Sequence, residues 1–478
     1  MTLFSTTTSQ ERLEALAHEF PSGLVTFDPA VLHRYTADSY WKALAYRDRG
    51  TPLGLPDAVA IPTTEQEVAN LLGAATKHGV PVVAWGGGSG SQGGAVPIRG
   101  GLVIDLRGLT KIVEVDRDSY TVTVQAGANG TEFERLLNEM GLMFPHYPAS
   151  AEWATVGGYV AARGSGVLST RYGKIEDLTV SLQVAMPTGE LIDLLPIPRH
   201  AVGPDLLSLM IGSEGCLGII TRVTCQVMPL PPSRLFACVA FDDTSTGVTA
   251  YQDAMVRGFR PAVIRLYDEV ATPYTLKPVL GDQLLDGVVS IMTFEGEPEL
   301  AQAEHDGLLK ICRQHGTREL DPSFAEHWWD HRYDFYRPPF YPTLPSVWGT
   351  FDIIAPYRTL MAAYDALQDS VARPYGEKYG LQLRTHFSHW YPWGAMYYAR
   401  FVMPDPGPDV LEIHEQIWQD GMTAIVAAGG LINDHHGVGV KLAPWMRDQH
   451  GPALDVLRKI KRALDPAGIM NPGKLDLD

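Results

Sequence analysis

Asn433-Asp-His-His-Gly-Val-Gly439 sets two adjacent imidazoles between a carboxylate and a pair of glycines. Imidazole titrates in the range that proton abstraction needs, and neighbouring histidines in a glycine-bounded turn are seldom chosen for packing, which makes His435 and His436 the leading acid–base candidates. Tyr397 and Tyr398 end the stretch Arg384-Thr-His-Phe-Ser-His-Trp-Tyr-Pro-Trp-Gly-Ala-Met-Tyr-Tyr398, which also carries His386 and His389. Either phenol can exchange a proton or simply occupy a strand of a sheet. Arg265 stands alone among apolar residues in Pro261-Ala-Val-Ile-Arg-Leu-Tyr-Asp268. Its planar fork of donors suits a carboxylate or phosphate, and pairing with Asp268 is the plain structural alternative. Residues 327–351 are dense in aromatic rings with Arg332 and Arg337 interleaved, a composition that fits either core or a substrate wall holding an anion.

A second group of residues could cradle a polyanion. Pro81-Val-Val-Ala-Trp-Gly-Gly-Gly-Ser-Gly-Ser-Gln-Gly-Gly94 runs from an apolar strand into a loop of small residues, where successive N–H groups can form an anion-binding nest. No Lys-Ser/Thr follows at the spacing that a nucleoside triphosphate requires. No helix follows directly, as a Rossmann dinucleotide fold would demand, because residues 94–106 lead into another strand. Taken alone, such a loop is a diphosphate cradle or a hairpin. Two later stretches complete a pattern: Pro148-Ala-Ser-Ala-Glu-Trp-Ala-Thr-Val-Gly-Gly-Tyr-Val-Ala-Ala-Arg-Gly-Ser-Gly166 with Arg171-Tyr-Gly-Lys-Ile-Glu-Asp-Leu178, and Ile211-Gly-Ser-Glu-Gly-Cys-Leu-Gly-Ile-Ile-Thr221.

In this order the three blocks resemble the FAD domain of the vanillyl-alcohol oxidase/PCMH flavoprotein superfamily over residues 55–232. Residues 150–158, 172–178, 260–268 and 435–439 are most similar to its alkyldihydroxyacetonephosphate synthase-like branch, and glycolate and D-lactate dehydrogenases share the first two segments more loosely. The resemblance implies an α+β chain: a two-part PCMH-type FAD-binding domain plus an α+β cap domain with an antiparallel sheet. It implies FAD held by Trp85, Gly86, Gly87, Gly88, Ser89, Gly90 and Ser91 at the diphosphate, and by Pro148, Ser150, Thr155, Gly157, Gly158 and Arg163 along the ribityl and isoalloxazine portions. Glu214, Gly218 and Ile220 would complete the adenosine side. Residues 86–91 contain neither His nor Cys, so no covalent tether is expected from that loop.

The same resemblance puts Arg265 at the active site, makes Arg337 and His386 substrate-binding, and gives Tyr398 the acid–base role. The branch carries three histidines in a row where this chain has Asp434-His435-His436, which offers one imidazole a carboxylate partner and weakens transfer of the synthase activity. Metal-dependent D-2-hydroxyacid dehydrogenases of the superfamily carry a second His where this chain has Trp393, and their Glu-His falls at His435-His436; no metal is expected, although His386, His389 and His435 could still converge on zinc.

Composition limits the partners. A formal charge of −17 over 478 residues disfavours nucleic acid and anionic lipid surfaces. Four cysteines without a CxxC pair suggest buried free thiols rather than a cluster or zinc site. The N-terminus lacks a basic segment followed by an apolar one, and no stretch reaches the length of a membrane span, so a cytoplasmic location is expected. The partners expected are a small-molecule substrate and a second copy of the chain.

These residues need elements to position them. Residues 9–20 suit a short amphipathic helix within an N-terminal segment, 1–55, that packs on the FAD-binding domain, 56–232. Asp57–Ile61 suits a buried strand, Thr64-Glu-Gln-Glu67 is a capping box ahead of a helix closed by Gly79, and residues 80–84 form the strand that delivers the glycine loop. Strands are further expected at 101–106, 112–115, 121–125, 178–186 and 218–227, and a helix capped near Thr131. Met228-Pro-Leu-Pro-Pro232 marks the exit to a substrate or cap domain, 233–430, with a strand at 236–241 and a helix at 247–258; residues 431–478 return to the FAD domain through a helix at 452–464.

Three functions fit. The leading one is FAD-dependent oxidation of a hydroxyl-bearing, anionic or aromatic small molecule by hydride transfer to flavin N5. The alternative is an alkylglycerone-phosphate (alkyldihydroxyacetonephosphate) synthase-type transfer using FAD, which calls for a long apolar channel. A flavin scaffold without its own substrate is the third, and the paired histidines and arginines argue against it.

Overall fold

Thr64 starts the first long helix by accepting a hydrogen bond from the Glu67 N–H while Glu67 accepts one from the Thr64 N–H, and Gly79 ends it in the left-handed region at φ +62°. The helix, Glu65–His78, buries Val68, Leu71, Leu72 and Ala75. In the computed structural model, which describes residues 9–275, 287–333 and 344–478, these side chains pack with Leu102, Ile104, Ala185 and Ile219. Helix and following strand are therefore fixed by one apolar cluster, and that strand, Val82–Trp85, aims the glycine loop.

Val82–Trp85 pairs in parallel with Leu102–Asp105, which pairs in parallel with Ala58–Ala60, and Val25–Thr26 completes this four-stranded sheet in the antiparallel sense. The chain's C-terminal stretch extends it: the Val82 N–H donates to Ile469 O at 2.8 Å and the Asn471 N–H to Val82 O at 2.8 Å. A five-stranded antiparallel sheet follows, in the order Ile112–Asp116, Thr121–Gln125, Ile219–Gln226, Thr179–Ala185, Leu191–Asp193. Thr121–Gln125 alternates inward and outward side chains as its period-two sequence predicts.

The third sheet is antiparallel and seven-stranded, in the order Arg318–Leu320, Ser233–Phe241, Val288–Gly296, Val263–Tyr267, Gln382–Trp390, Gly394–Met403, Val347–Pro356. Leu266, Phe387, Tyr397, Phe401 and Phe351 share a core with residues of the helices Thr244–Val256, Pro298–Gln314, Tyr357–Leu367 and Val410–Ala427. Replacing a fully buried ring such as Phe387 by alanine would cost about 3–5 kcal/mol. The opposite face meets Val167, Leu168 and the helix Ser323–Asp330, and it carries the polar residues described below. The chain is thus α+β, with antiparallel sheets and one small, mostly parallel one. All four cysteines are buried and free.

Candidate active site

Strand register builds the site. Tyr267 pairs with His386, His386 with Tyr398, and Tyr398 with Asp352, so four adjacent strands present one row of polar side chains. Tyr397, one residue out of phase, faces the opposite way: it is fully buried and its hydroxyl donates to Ala363 O at 3.0 Å. A bulge between Phe387 and His389 inserts one extra residue, which turns His389 onto the face of His386 and Tyr398. The segment after the last long helix then runs along the edge strand, with Leu431 N–H donating to Ile354 O at 2.9 Å and Asp434 N–H to Asp352 O at 3.0 Å. That pairing lays His435 and His436 over the row: the Tyr398 ring lies 6.3 Å from that of His435 and 5.6 Å from that of His436.

Two buried carboxylates divide the roles of the histidines. His435 Nδ1 lies 3.0 Å from Asp434 Oδ2 and 3.1 Å from Asp352 Oδ1. Burial opposes a charge on this ring, but the two carboxylates prevail and push its pKa up to about 9. His436 Nδ1 lies 3.2 Å from Asp352 Oδ2 at an angle that makes no hydrogen bond, and burial, reinforced by repulsion from His435, pushes its pKa down to about 3. The pair is one imidazolium beside one free base. Asp434 also accepts from Ser165 Oγ at 3.1 Å, pairs with His389 Nδ1 at 3.0 Å and lies 3.5 Å from Lys174 Nζ. Burial alone would protonate Asp434, but Lys174 and the histidines hold its carboxyl well below the usual range.

Arg265 does not pair with Asp268, the structural alternative its sequence left open. Asp268 accepts instead from the Ala271 N–H and the Tyr364 hydroxyl, whereas Arg265 Nη1 donates to His386 Nε2 at 3.0 Å and its guanidinium lies 5.1 Å from the Trp328 ring. Because arginine only donates, His386 Nε2 accepts and carries no proton there. Burial and then the Arg265 charge drive the His386 pKa well below its ordinary value. Trp328 and Trp329 of the aromatic stretch are buried against arginines, Trp329 stacking on Arg234 and Arg332. Arg337 lies outside the described residues.

The ligand atoms of Asp352, His435 and His436, and those of His389, Asp434 and His435, each lie within 4.8 Å of one another. The His435 imidazolium and the Lys174 ammonium already supply the positive charge that a cation there would bring.

The glycine loop and the second block abut. A Cβ on Gly87 would run into Trp153 O, and one on Gly86 would approach Thr155 Oγ1 at 2.6 Å, so these glycines permit the close approach of the two segments. Gly88, at φ +65°, turns beneath the Trp85 indole, which itself packs edge-on against Tyr35 at 5.1 Å. The N–H groups of Gly87, Gly88, Gly90 and Ser91 donate to no backbone carbonyl among the described residues, which leaves a set of amides fit to hold a diphosphate. Ser89 follows Gly88 in this loop, and Pro148 and half-buried Ser150 form the turn before Trp153, where Ser150 O accepts from the Trp153 N–H at 3.0 Å.

Several of the expected flavin contacts have other work. Thr155 is the N-cap of Val156–Ala161 and accepts from the Gly158 N–H at 3.2 Å, while Gly157 lies so close to Ala126 that a Cβ would stand 2.5 Å from that methyl. Arg163, at φ +57°, reaches Glu176 at 3.4 Å. Gly218 and Ile220 sit at the buried start of a strand, opposite Val184. Glu214, at φ +49°, spends its carboxylate on the Val438 N–H at 2.5 Å and the Gly439 N–H at 2.9 Å, and so ties the turn after His436 to the FAD-binding half. Asp352, Lys174 and Ser165 were not legible as site residues; the only signal was a lone carboxylate in the apolar strand Val347–Pro356.

Residues 56–195 match the FAD binding domain and residues 230–475 the C-terminal domain of FAD linked oxidases. The alkyldihydroxyacetonephosphate synthase of Trypanosoma brucei brucei is 28% identical over 88% of this chain and 73% of its own length. The uncharacterised FAD-linked oxidoreductase YgcU of Escherichia coli K12 is 28% identical over 94% of this chain and 95% of its own length. A solved structure of alkyldihydroxyacetonephosphate synthase shares the fold at a TM-score of 0.80 and 24% identity, covering 99% of this chain and 86% of that one. Among the described residues no helix is long and apolar enough to cross a membrane. With a matched FAD binding domain in one half and a family match spanning just over half of its length in the other, the chain belongs to the FAD-linked oxidases and takes FAD as its cofactor.

Proposed function

We propose that this chain oxidises a hydroxyl-bearing, anionic small molecule. FAD, when bound, supplies the acceptor for the hydride. The protein's task is proton traffic and orientation. His436 is uncharged, and its buried Nδ1 has no hydrogen-bond partner among the described residues, so its ring is open to receive the hydroxyl proton as the hydride leaves. His435, locked between Asp352 and Asp434, stays charged and stabilises the developing alkoxide. Burial raises the Tyr398 pKa, which keeps its hydroxyl protonated and able to donate to the substrate oxygen. Arg265, steadied by neutral His386 and the Trp328 face, orients an anionic group.

The observation that carries this reading is the different wiring of two adjacent imidazoles over the Tyr398 ring: His435 Nδ1 is held at 3.0 Å from Asp434 and 3.1 Å from Asp352, whereas the buried His436 Nδ1 makes no hydrogen bond. The test is anaerobic mixing of the holoenzyme with hydroxy acids, aromatic alcohols and sugar acids while the flavin absorbance is followed. Bleaching by members of the panel is the expected result.

The similarity to the Trypanosoma synthase supports a second reading, exchange of an alkoxy for an acyl group on a dihydroxyacetone phosphate ester. Absence of bleaching, combined with exchange of a labelled fatty alcohol into acyl-dihydroxyacetone phosphate, would replace the first reading with this one. The polar, arginine-bearing face around Tyr398 favours the first.

A further inference from the structure

Two more arginines share the face of His386 and Tyr398. Arg384 and Arg400 are directly opposed in the register of adjacent strands, each two residues, about 7 Å, along its strand from His386 and Tyr398 respectively. They lie on the far side of that row from Arg265, since Leu266 pairs with Phe387 and Tyr267 with His386. Like charges directly opposed across strands destabilise a sheet. Among the described residues no carboxylate relieves this pair. Arg384 Nη2 donates to Gln382 Oε1 at 2.5 Å and its guanidinium lies 4.3 Å from the Tyr274 ring, while that of Arg400 lies 6.0 Å from the Trp348 ring. The Nε atom of each is buried without a hydrogen-bond partner. Burial, and then repulsion by Arg400, hold the Arg384 pKa below its ordinary value. The chain has 55 acidic residues against 38 basic ones, so two cations that no described carboxylate compensates are not explained by a shortage of carboxylates.

We propose that Arg384 and Arg400 form a two-armed clasp for a terminal oxyanion, a phosphate ester or a carboxylate, on the molecule whose hydroxyl lies at Tyr398 and His436. Two forks of donors carried at opposed positions on neighbouring strands can match the oxygens of such a group, and its charge removes the repulsion between them. The separation of about 7 Å between the two rows spans roughly four or five bonds, so the substrate is a short chain with its reactive hydroxyl and its anion at opposite ends. Which end reacts rests on the oxidoreductase reading; the clasp itself does not.

The test uses the FAD-loaded protein titrated with inorganic phosphate and, separately, with succinate, at constant ionic strength set by chloride. Without either anion, Arg400→Gln and Arg384→Gln should melt at a higher temperature than the wild type, because each removes one of two repelling charges. Phosphate or succinate should raise the wild-type melting temperature, and calorimetric affinity should fall about tenfold or more in each Gln variant, with Arg400→Lys in between. Preference for phosphate identifies a phosphate ester and preference for succinate a carboxylate. Variants that melt lower than the wild type and bind both anions undiminished would make the arginines structural and end the proposal, as would a wild type that binds neither. Flavin bleaching separates this claim from the function. If hydroxy compounds with and without a second anionic group bleach the flavin equally well, in wild type and Arg400→Gln alike, the clasp fails and oxidation stands; anion binding at the arginines with no bleaching by any compound leaves the clasp and removes the oxidoreductase reading.

Discussion

Lys461 and Asp465 are as deeply buried as Asp352 and Asp434, yet the two clusters are wired differently. Lys461 Nζ donates to Asp465 Oδ2 at 2.5 Å, Met470 O at 2.7 Å and Cys216 O at 2.9 Å, and Asp465 accepts from the N–H groups of Ile469 and Met470. All three ammonium protons are used, and the result is a lock that holds the final stretch of chain beside the strand Val82–Trp85. Around Asp352 the accounts stay open: His436 Nδ1 and Asp352 Oδ1 are buried without a hydrogen bond, and His435 Nδ1 bonds Asp434 while lying only 3.1 Å from that unbonded Asp352 oxygen. A saturated buried ion pair stabilises; an unsaturated one leaves lone pairs and protons available to a substrate.

The sharpest way to break this contrast is His436→Gln. If the open cluster does the chemistry, flavin reduction by substrate should slow by about 10²–10⁴-fold while the melting temperature stays near that of the wild type. Lys461→Met should do the opposite. Removing one partner of a buried pair costs about 3–5 kcal/mol, so the melting temperature should drop steeply while the rate per folded molecule is retained. A large rate loss in Lys461→Met at temperatures where it is folded would erase the distinction.

A smaller effect should appear with pH. The folded pKa of His435, about 9, lies above the ordinary 6.5, so its contribution to stability is fully present below pH 6.5 and is lost as pH rises through 9; it amounts to about 3 kcal/mol at most. The wild type should therefore lose melting temperature between pH 7 and 9.5, and His435→Asn should lack that loss whatever its stability at neutral pH. An identical alkaline decline in both proteins would remove the charge from His435.

Local chemistry was legible where it is written locally. The capping box at Thr64 and Glu67, the left-handed stop at Gly79 and the alternation of Thr121–Gln125 could all be read from neighbouring residues. The helix expected to be capped near Thr131 is capped by Asn129, whose side chain accepts from the N–H groups of Thr131 and Glu132. The imidazole pair was visible in sequence, and the Asp434 partner with it. The division of labour within the pair was not, because it depends on Asp352 from another strand and Lys174 from the other half of the chain, a convergence that no local period encodes. Arg265 likewise finds His386 through sheet register rather than the nearby Asp268.

The irregularity between Phe387 and His389 sets the parity of everything beyond it in that strand. Were the strand straightened with Ser388 kept in the ladder, the His389 imidazole would swing into the apolar layer beside Tyr397 and Trp390, stripping Asp434 of a partner it meets at 3.0 Å. The one residue left out of the ladder thus decides which side of the sheet His389 serves.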